Sequence, residues 1–226
     1  MNAGEMDLAN SPDLLEYYNN GSSFTKHIIE KEINNGHYND ADFKKIFDNK
    51  DAVVVDGGAN IGLFSLHLHK ACKKIYAVEP TTRHLNVLRN ICKQFNISNV
   101  KFSEVAFNNY TGQVYFMTDE GNTTQNRIAN YGTPVNCVTV LEYLQATQEP
   151  VIDLLKIDIE GGEHYAMLND PTFNDVAKIC NNIYVEIHPP FVNPADIVNK
   201  LVSMNYKVKF MNSQFLNNNL NVLAYK

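Results

Sequence analysis

Val53-Val-Val-Asp56-Gly-Gly58-Ala-Asn60-Ile-Gly62 is the stretch that decides the fold of this chain. Its three valines predict a short buried strand that ends at Asp56, and the apolar spacing after Gly62 predicts a helix. The glycines between them permit a tight turn in which the backbone can approach a ligand, and a helix start offers unpaired N–H groups. This pattern predicts a strand, loop and helix that hold a nucleoside, although such a turn also occurs in proteins without a ligand.

A second apolar run, Lys74-Ile-Tyr-Ala-Val-Glu79-Pro80, also ends in a carboxylate. Nucleotide-binding α/β folds place the acid that bonds the ribose hydroxyls about 20 residues after the glycine turn, which is where Glu79 stands. Glu79 therefore favours the nucleoside interpretation over a purely structural turn. A nicotinamide oxidoreductase would also have this acid, but it would need Gly-x-Gly-x-x-Gly in the first turn, which is absent.

The composition of the chain restricts its class. It has 226 residues, of which 44% are apolar, enough for one sizeable core. The net charge is -6 without a basic stripe, so we expect no nucleic-acid partner. The four cysteines lack a Cys-x-x-Cys pattern and are predicted to be buried thiols. With no signal-like start and no apolar run that could span a membrane, the sequence predicts a cytoplasmic protein.

The chain divides into a predicted N-terminal helical appendage, residues 1–50, and one domain, residues 51–226. In the appendage, a helical pattern covers residues 24–31 and a second short helix carries Phe43 and Phe47. This appendage would either cover an edge of the sheet or act as a lid over the site.

From Val53 onward, strands alternate with helices, which predicts an α/β fold with a parallel sheet and helices on both faces. The last two strands should form a closing hairpin at the sheet edge. The polar stretch 119–133 is predicted to be a loop that either binds a ligand or is disordered. After the first two, the expected strands are 100–107, 113–118, 134–141, 151–160, 182–188, 206–211 and 220–225.

Charged residues end two of these later strands. Side chains alternate along a strand, so Lys156, Asp158 and Glu160 should point to one face, at the carboxyl end where α/β folds bind ligands. A structural ion pair between Lys156 and a carboxylate is the alternative. Glu186 and His188 share a face of the next strand. If the two strands are neighbours, these residues form either a general acid/base set or a site for a divalent cation.

Four motifs, in their order and spacing, resemble those of FkbM-type S-adenosylmethionine-dependent methyltransferases. The resemblance covers the chain from about residue 50 to the end and implies a Rossmann-like, seven-stranded methyltransferase sheet. It departs from the family pattern at Gly162, where Ala is usual, and at Glu142, where Asp is common. The motifs are Asp56-Gly-Gly58-Ala-Asn60-Ile-Gly62, Ala77-Val-Glu79-Pro80, Lys156-Ile-Asp158-Ile-Glu160-Gly161-Gly-Glu163 and Glu186-Ile-His188.

The resemblance also implies a cofactor, S-adenosyl-L-methionine, and residues that bind it. Glu79 would hold the ribose hydroxyls, and Ala106 and Phe107 would flank the adenine. The methionine and ribose side would be lined by Asp56, Gly58, Asn60 and Gly62. The implied reaction is O-methylation of a sugar, a glycan or a polyketide-type natural product. A catalytically silent cofactor-binding subunit is a further alternative, which the charged strand ends disfavour.

Methyl transfer to oxygen needs an aligned acceptor and a base for its proton. Asp158, Glu160 or His188 would supply the base. We favour His188, with Asp158 near the sulfonium and Lys156 either lowering carboxylate pKa values or contacting the acceptor. In a second mechanism, Asp158, Glu186 and His188 would hold a cation such as Mg²⁺ that lowers the pKa of the acceptor hydroxyl. The sequence makes no prediction of the oligomeric state.

Overall fold

The computed structural model describes residues 11–17, 41–48, 50–117, 126–189, 191–211 and 219–226. Its strands are β1 Ala52–Gly57, β2 Cys72–Val78, β3 Val100–Ser103, β4 Ala106–Phe107, β5 Gly112–Met117, β6 Arg127–Ala129, β7 Thr133–Val138, β8 Ile152–Ile157, β9 Cys180–Ile187, β10 Lys207–Met211 and β11 Leu220–Tyr225. Its α-helices are α1 Pro12–Tyr17, α2 Ala41–Lys45, α3 Leu63–Leu68, α4 Thr82–Gln94, α5 Val140–Ala146 and α6 Pro194–Ser203. A π-helical turn, His164–Leu168, and a 3-10 helix, Phe173–Lys178, lie between β8 and β9.

The main sheet has seven strands in the order β10-β11-β9-β8-β1-β2-β3. The central strand β1 is buried along its whole length and pairs in parallel with β2 and β8. Strand β11 runs antiparallel to both β9 and β10, which confirms the predicted closing hairpin. The fold implied by the sequence, a seven-stranded α/β sheet, is therefore confirmed.

Helices cover both faces of the main sheet, as predicted. Because neighbouring side chains of a strand point to opposite faces, Val54 packs in one core cluster while Val53 and Val55 pack in the other. The first cluster includes residues of α1, α2, α3 and α4, and the second includes residues of α5, α6 and the two turns between β8 and β9. Burying each large apolar side chain stabilises the fold by about 1.5–3 kcal/mol.

The described residues of the predicted appendage pack directly on the domain. Leu14 of α1 is fully buried in the first core cluster. Phe43 of α2 contacts the rings of Phe64 and Tyr184, with centroid distances of 6.3 and 5.8 Å. These two helices therefore cover a face of the sheet. The division at residue 50 stays a prediction, and the helix expected at 24–31 lies outside the described residues.

A second sheet of four strands, in the order β4-β7-β5-β6, lies beside the main one. The predicted third strand, 100–107, is wrong in its second half, because β3 ends at Ser103 and Ala106–Phe107 pairs with β7 instead. The predicted loop 119–133 is wrong at Arg127–Ala129, which pairs with β5. A strand this short has too few residues to show an alternating pattern.

Other local predictions are confirmed or refined. All four cysteines are buried and unpaired. Helix α5 begins at Val140 because Thr139 caps it, accepting a hydrogen bond from the Glu142 amide. The Glu142 carboxylate in turn accepts hydrogen bonds from the Thr139 and Thr111 hydroxyls, so its role here is that of a cap. None of the helices in the described ranges is both long enough and apolar enough to cross a bilayer.

Candidate functional site

A pocket of about 630 Å³ opens where β1, β2 and β8 end. The carboxyl ends of parallel strands are where such folds bind ligands. One wall comes from the loops after the three strands and the opposite wall from the second sheet. The lining residues are Gly58, Asn60, Val78, Glu79, Pro80, His84, Val105, Ala106, Phe107, Phe116, Asn126, Ile128, Asp158, Ile159, Glu160 and Gly162.

Glu79 anchors the middle of this pocket. Its Oε2 accepts a hydrogen bond from the Asn60 amide at 3.0 Å. Its Oε1 accepts one from the Thr81 amide at 3.0 Å and lies 3.2 Å from Nδ1 of His84. A carboxylate has about four acceptor positions, so one position on Oε2 is left for a ligand hydroxyl. Glu79 therefore joins the loops after β1 and β2 and can accept a hydrogen bond from a ribose.

The second sheet forms the apolar end of the pocket. Ala106 and Phe107 of β4, which the family resemblance placed beside the adenine, line it together with Phe116 and Ile128 from β5 and β6. The Phe107 ring packs edge-on against Tyr143, at a centroid distance of 5.4 Å. Phe116 and Ile128 were not foreseen, because the sequence pattern does not show that β6 turns back over the site. An apolar surface in the same pocket as Glu79 suits a nucleobase.

The end of β1 and the loop after it contribute two of the four predicted residues. Gly58 and Asn60 line the pocket, whereas Asp56 and Gly62 lie outside the lining. Gly58 has φ +75°, and a Cβ there would lie 1.7 Å from the carbonyl oxygen of Asp158. Only glycine therefore allows the loops after β1 and β8 to touch.

Lys156, the second-last residue of β8, connects the loops after β1 and β8. Its ammonium is 3.1 Å from Oδ1 of Asp56, 3.2 Å from Oδ2 of Asp158 and 3.3 Å from the Gly58 carbonyl. Asp56 is fully buried and also accepts a hydrogen bond from the Ser65 hydroxyl at 2.6 Å. Burial alone would lower the pKa of Lys156, but Asp158 and Asp56 raise it above its ordinary value. The pair predicted as the structural alternative is thus present.

The sequence predicted that Asp158 and Glu160 lie on the strand with Lys156. In the structure, both residues come after the end of β8. Strand β8 ends at Ile157, and Glu160 adopts a left-handed backbone with φ +53°. The alternation of side chains therefore stops after Lys156. Asp158 and Glu160 instead approach each other because the chain turns here, and both line the pocket.

His188 sits at the centre of the acidic cluster. Strands β8 and β9 are parallel neighbours, so the two charged strand ends meet as expected. Nε2 of His188 lies 3.7 Å from Asp158, 3.5 Å from Glu160 and 3.9 Å from Glu186. Glu163, which was not among the predicted site residues, is buried and accepts hydrogen bonds from Nδ1 of His188 at 2.9 Å and from the Ile159 amide. Its place in the Glu160-Gly-Gly-Glu163 motif was the available signal.

This arrangement shifts the pKa values of the cluster. Burial alone would lower the pKa of His188, but the hydrogen bond and charge of Glu163, with Asp158 and Glu160, raise it to about 10. Burial and the charge of Asp158 raise the pKa of Glu160 to about 8, against the opposing charge of His188. The same two causes raise the pKa of Glu186 to about 7. His188 is thus cationic at neutral pH, and Glu160 titrates near it.

One group in the described part of the chain has metal-binding geometry. Asp158, Glu160 and His188 offer ligand atoms that all lie within 4.8 Å of one another. The predicted set had Glu186 in place of Glu160. Glu186 lies outside this group and accepts a hydrogen bond from the Asn219 amide group at 2.8 Å. The difference arises because the turn after Ile157 brings Glu160 back toward His188.

Comparison with known proteins connects this site to one family of enzymes. The family described as "Methyltransferase FkbM domain" matches residues 56–208, which include Glu79 and the whole acidic cluster. None of the proteins of curated function matches the sequence.

Solved structures share the fold. The structure of methyltransferase FkbM from Methylobacillus flagellatus KT matches with a TM-score of 0.58 at 12% identity, over 95% of this chain and 58% of that one. The chain therefore spans little more than half of that protein. Magnesium protoporphyrin IX methyltransferase from Synechocystis PCC 6803, with bound S-adenosylhomocysteine, matches with a TM-score of 0.55 at 13% identity, over 95% and 92% of the two chains.

Proposed function

Because this chain belongs to the FkbM methyltransferase family, we propose that it transfers the methyl group of S-adenosylmethionine to a hydroxyl oxygen of a sugar or glycan. One observation carries the proposal. One pocket joins Glu79, whose carboxylate keeps an acceptor position for a ligand hydroxyl, to a cluster of acidic residues around His188. A methyl donor and an acceptor hydroxyl can therefore meet between the two.

The residues of the pocket fit the cofactor. Phe107 and Ile128 would contact the adenine, and the open acceptor position of Glu79 would bind a ribose hydroxyl. The turn at Gly58 and Asn60 would contact the rest of the ribose and the methionine part. When bound, S-adenosylmethionine supplies a methyl group that its sulfonium has already activated. The task left to this chain is to align the acceptor oxygen and to remove its proton.

Glu79→Gln should weaken binding of S-adenosylhomocysteine by about ten- to a hundredfold, which corresponds to the loss of a charged hydrogen bond. Glutamine keeps one acceptor oxygen, so either the Asn60 amide or the Thr81 amide loses its partner and faces an NH2 group instead. Isothermal titration calorimetry measures the change. Glu104→Gln, an exposed carboxylate outside the lining, is the control, and equal Kd values for the two variants would contradict the assignment.

We propose Glu160 as the base that takes the acceptor proton. A base works best when its pKa lies near the working pH, and burial with Asp158 brings the pKa of Glu160 there. His188, the residue favoured from the sequence, is held as a cation by Glu163 and would first have to lose its proton. In this proposal His188 orients Glu160 and Asp158, and Lys156, which is 3% exposed, positions the two loops without reaching the acceptor.

A metal-assisted route is the rival mechanism. Asp158, Glu160 and His188 could hold a divalent cation such as Mg²⁺, which would lower the pKa of a bound hydroxyl. We expect methyl transfer to persist after exhaustive treatment with EDTA, because cationic His188 already provides positive charge among the carboxylates. Loss of turnover with EDTA and its recovery with added Mg²⁺ would establish the metal route instead.

The choice of a sugar rests on the polar end of the pocket. Carboxylate oxygens of Asp158 and Glu160 accept hydrogen bonds from hydroxyls, which a sugar offers in adjacent pairs. Transfer of labelled methyl to a panel of glycosides and oligosaccharides tests this proposal. Transfer only to polyketide-type hydroxyls would show that the acceptor is a natural product of that type and not a sugar. Cofactor binding without transfer to either class would favour the silent subunit.

A further inference from the structure

Phe191 is an exposed aromatic residue directly beyond the acidic cluster. Its side chain is 52% exposed, and its amide donates a hydrogen bond to the His188 carbonyl at 3.0 Å. The side chain leans on Gly161, where a Cβ would lie 2.7 Å from Cβ and 2.8 Å from Cγ of Phe191. Gly161 stands between two residues that line the pocket, Glu160 and Gly162. Phe191 therefore lies at the rim of the pocket, on the side of the proposed base.

Arg127 connects this rim to the opposite wall. Its guanidinium carbon is 5.3 Å from the centroid of the Phe191 ring, a cation–π distance. The neighbours of Arg127 in the chain, Asn126 and Ile128, both line the pocket from the second sheet. The contact between Phe191 and Arg127 thus bridges the two walls and fixes the ring at the mouth without burying it.

The rim combines an apolar ring with a set of hydrogen-bond acceptors. Phenylalanine has no polar group, so its exposed ring gains from any apolar surface that covers it. A pyranose ring has one face rich in C–H groups and an edge of hydroxyls. Such a ring can lie on Phe191 while its hydroxyls point toward Glu160 and Asp158.

The charge of the cluster selects among sugars. Three carboxylates, Asp158, Glu160 and Glu186, surround the single imidazolium of His188. With Glu163 they make four carboxylates against the cations of His188 and Lys156, so above about pH 8, where Glu160 is ionised as the proposed base requires, the cluster repels an anionic group at close range. Resting on the proposed function, we infer that Phe191 is the stacking residue of an acceptor subsite for a neutral sugar ring.

The test uses a property of the sequence, which contains no tryptophan. Phe191→Trp introduces a single indole at the rim, and Phe210→Trp places one at a residue with similar exposure, 57%, on the edge strand β10. Both variants, saturated with S-adenosylhomocysteine, are titrated with neutral methyl glycosides and oligosaccharides and with a glucuronide. We expect a saturable change in indole emission with a neutral sugar in Phe191→Trp alone. Equal responses in the two variants, a response only to the glucuronide, or none at all would overturn the inference.

A kinetic experiment separates this inference from the proposed function. With a sugar that is methylated, Phe191→Ala should raise the KM for that sugar about tenfold or more, while the Kd of S-adenosylhomocysteine stays as in the unmodified chain. An unchanged KM would overturn the subsite and leave methyl transfer standing. Saturable sugar binding by Phe191→Trp without methyl transfer to any sugar would support the subsite and contradict the proposed function.

Discussion

Glu160→Gln should lower kcat by about a hundred- to ten-thousandfold, which is the usual contribution of a positioned base. The amide keeps the shape of the side chain but cannot take the acceptor proton. Because Glu160 is assigned to the acceptor and not to the cofactor, the Kd of S-adenosylhomocysteine should change little. Turnover of labelled methyl at saturating substrates measures the effect. A decrease of less than about fivefold would exclude Glu160 as the base.

The pH profile gives a second and independent measurement. A base must be ionised to act, and the pKa of Glu160 is raised to about 8. In the unmodified chain, kcat/KM should therefore rise as pH increases through about 8 and level off above it. Glu160→Gln should lose this rise, whereas the control Glu104→Gln should keep it. A profile that rises only toward pH 10 would restore His188 as the base, since its pKa is about 10.

Lys156→Met should reduce the free energy of unfolding by about 3–5 kcal/mol, the usual result of removing one partner of a buried ion pair. Asp56 is fully buried, so without the ammonium its charge has only the Ser65 hydroxyl as a hydrogen-bonding side-chain partner among the described contacts. The loops after β1 and β8 also lose the bond from Lys156 to the Gly58 carbonyl. Urea unfolding followed by circular dichroism measures the change.

An exposed ion pair provides the control for this experiment. Lys178 and Asp175 lie 2.7 Å apart with both side chains more than half exposed, so Lys178→Met should cost less than about 1 kcal/mol. Adding Asp56→Asn to Lys156→Met should recover part of the lost stability, because the unpaired buried charge is then removed. Equal midpoints for Lys156→Met and the unmodified chain would show that the buried pair does not support the fold.

Local patterns were enough to place the residues at the ends of the first two strands. Strand β1 is buried on both faces, so a run of valines marks it, and the carboxylate or glycine that follows marks its end. The same reasoning located Glu79, whereas the pairing of β8 with β9, on which the predicted acid/base or metal site depended, came from the structure. It failed for Phe107, which belongs to a different sheet from Val100, because a short apolar run carries no information about its partner strand.

The sequence by itself determined the fold class, the order of the main elements and some of the residues that line the pocket, such as Glu79 and Asp158, because these depend on burial patterns within single strands and helices. The tertiary structure alone decided which of these residues is charged and which is proposed as the base. Glu163 and His188 are 25 positions apart, and only the packed turn after β8 brings them to 2.9 Å. That contact makes His188 a cation and leaves Glu160 as the proposed base, since a pKa depends on distances and burial that no local pattern contains.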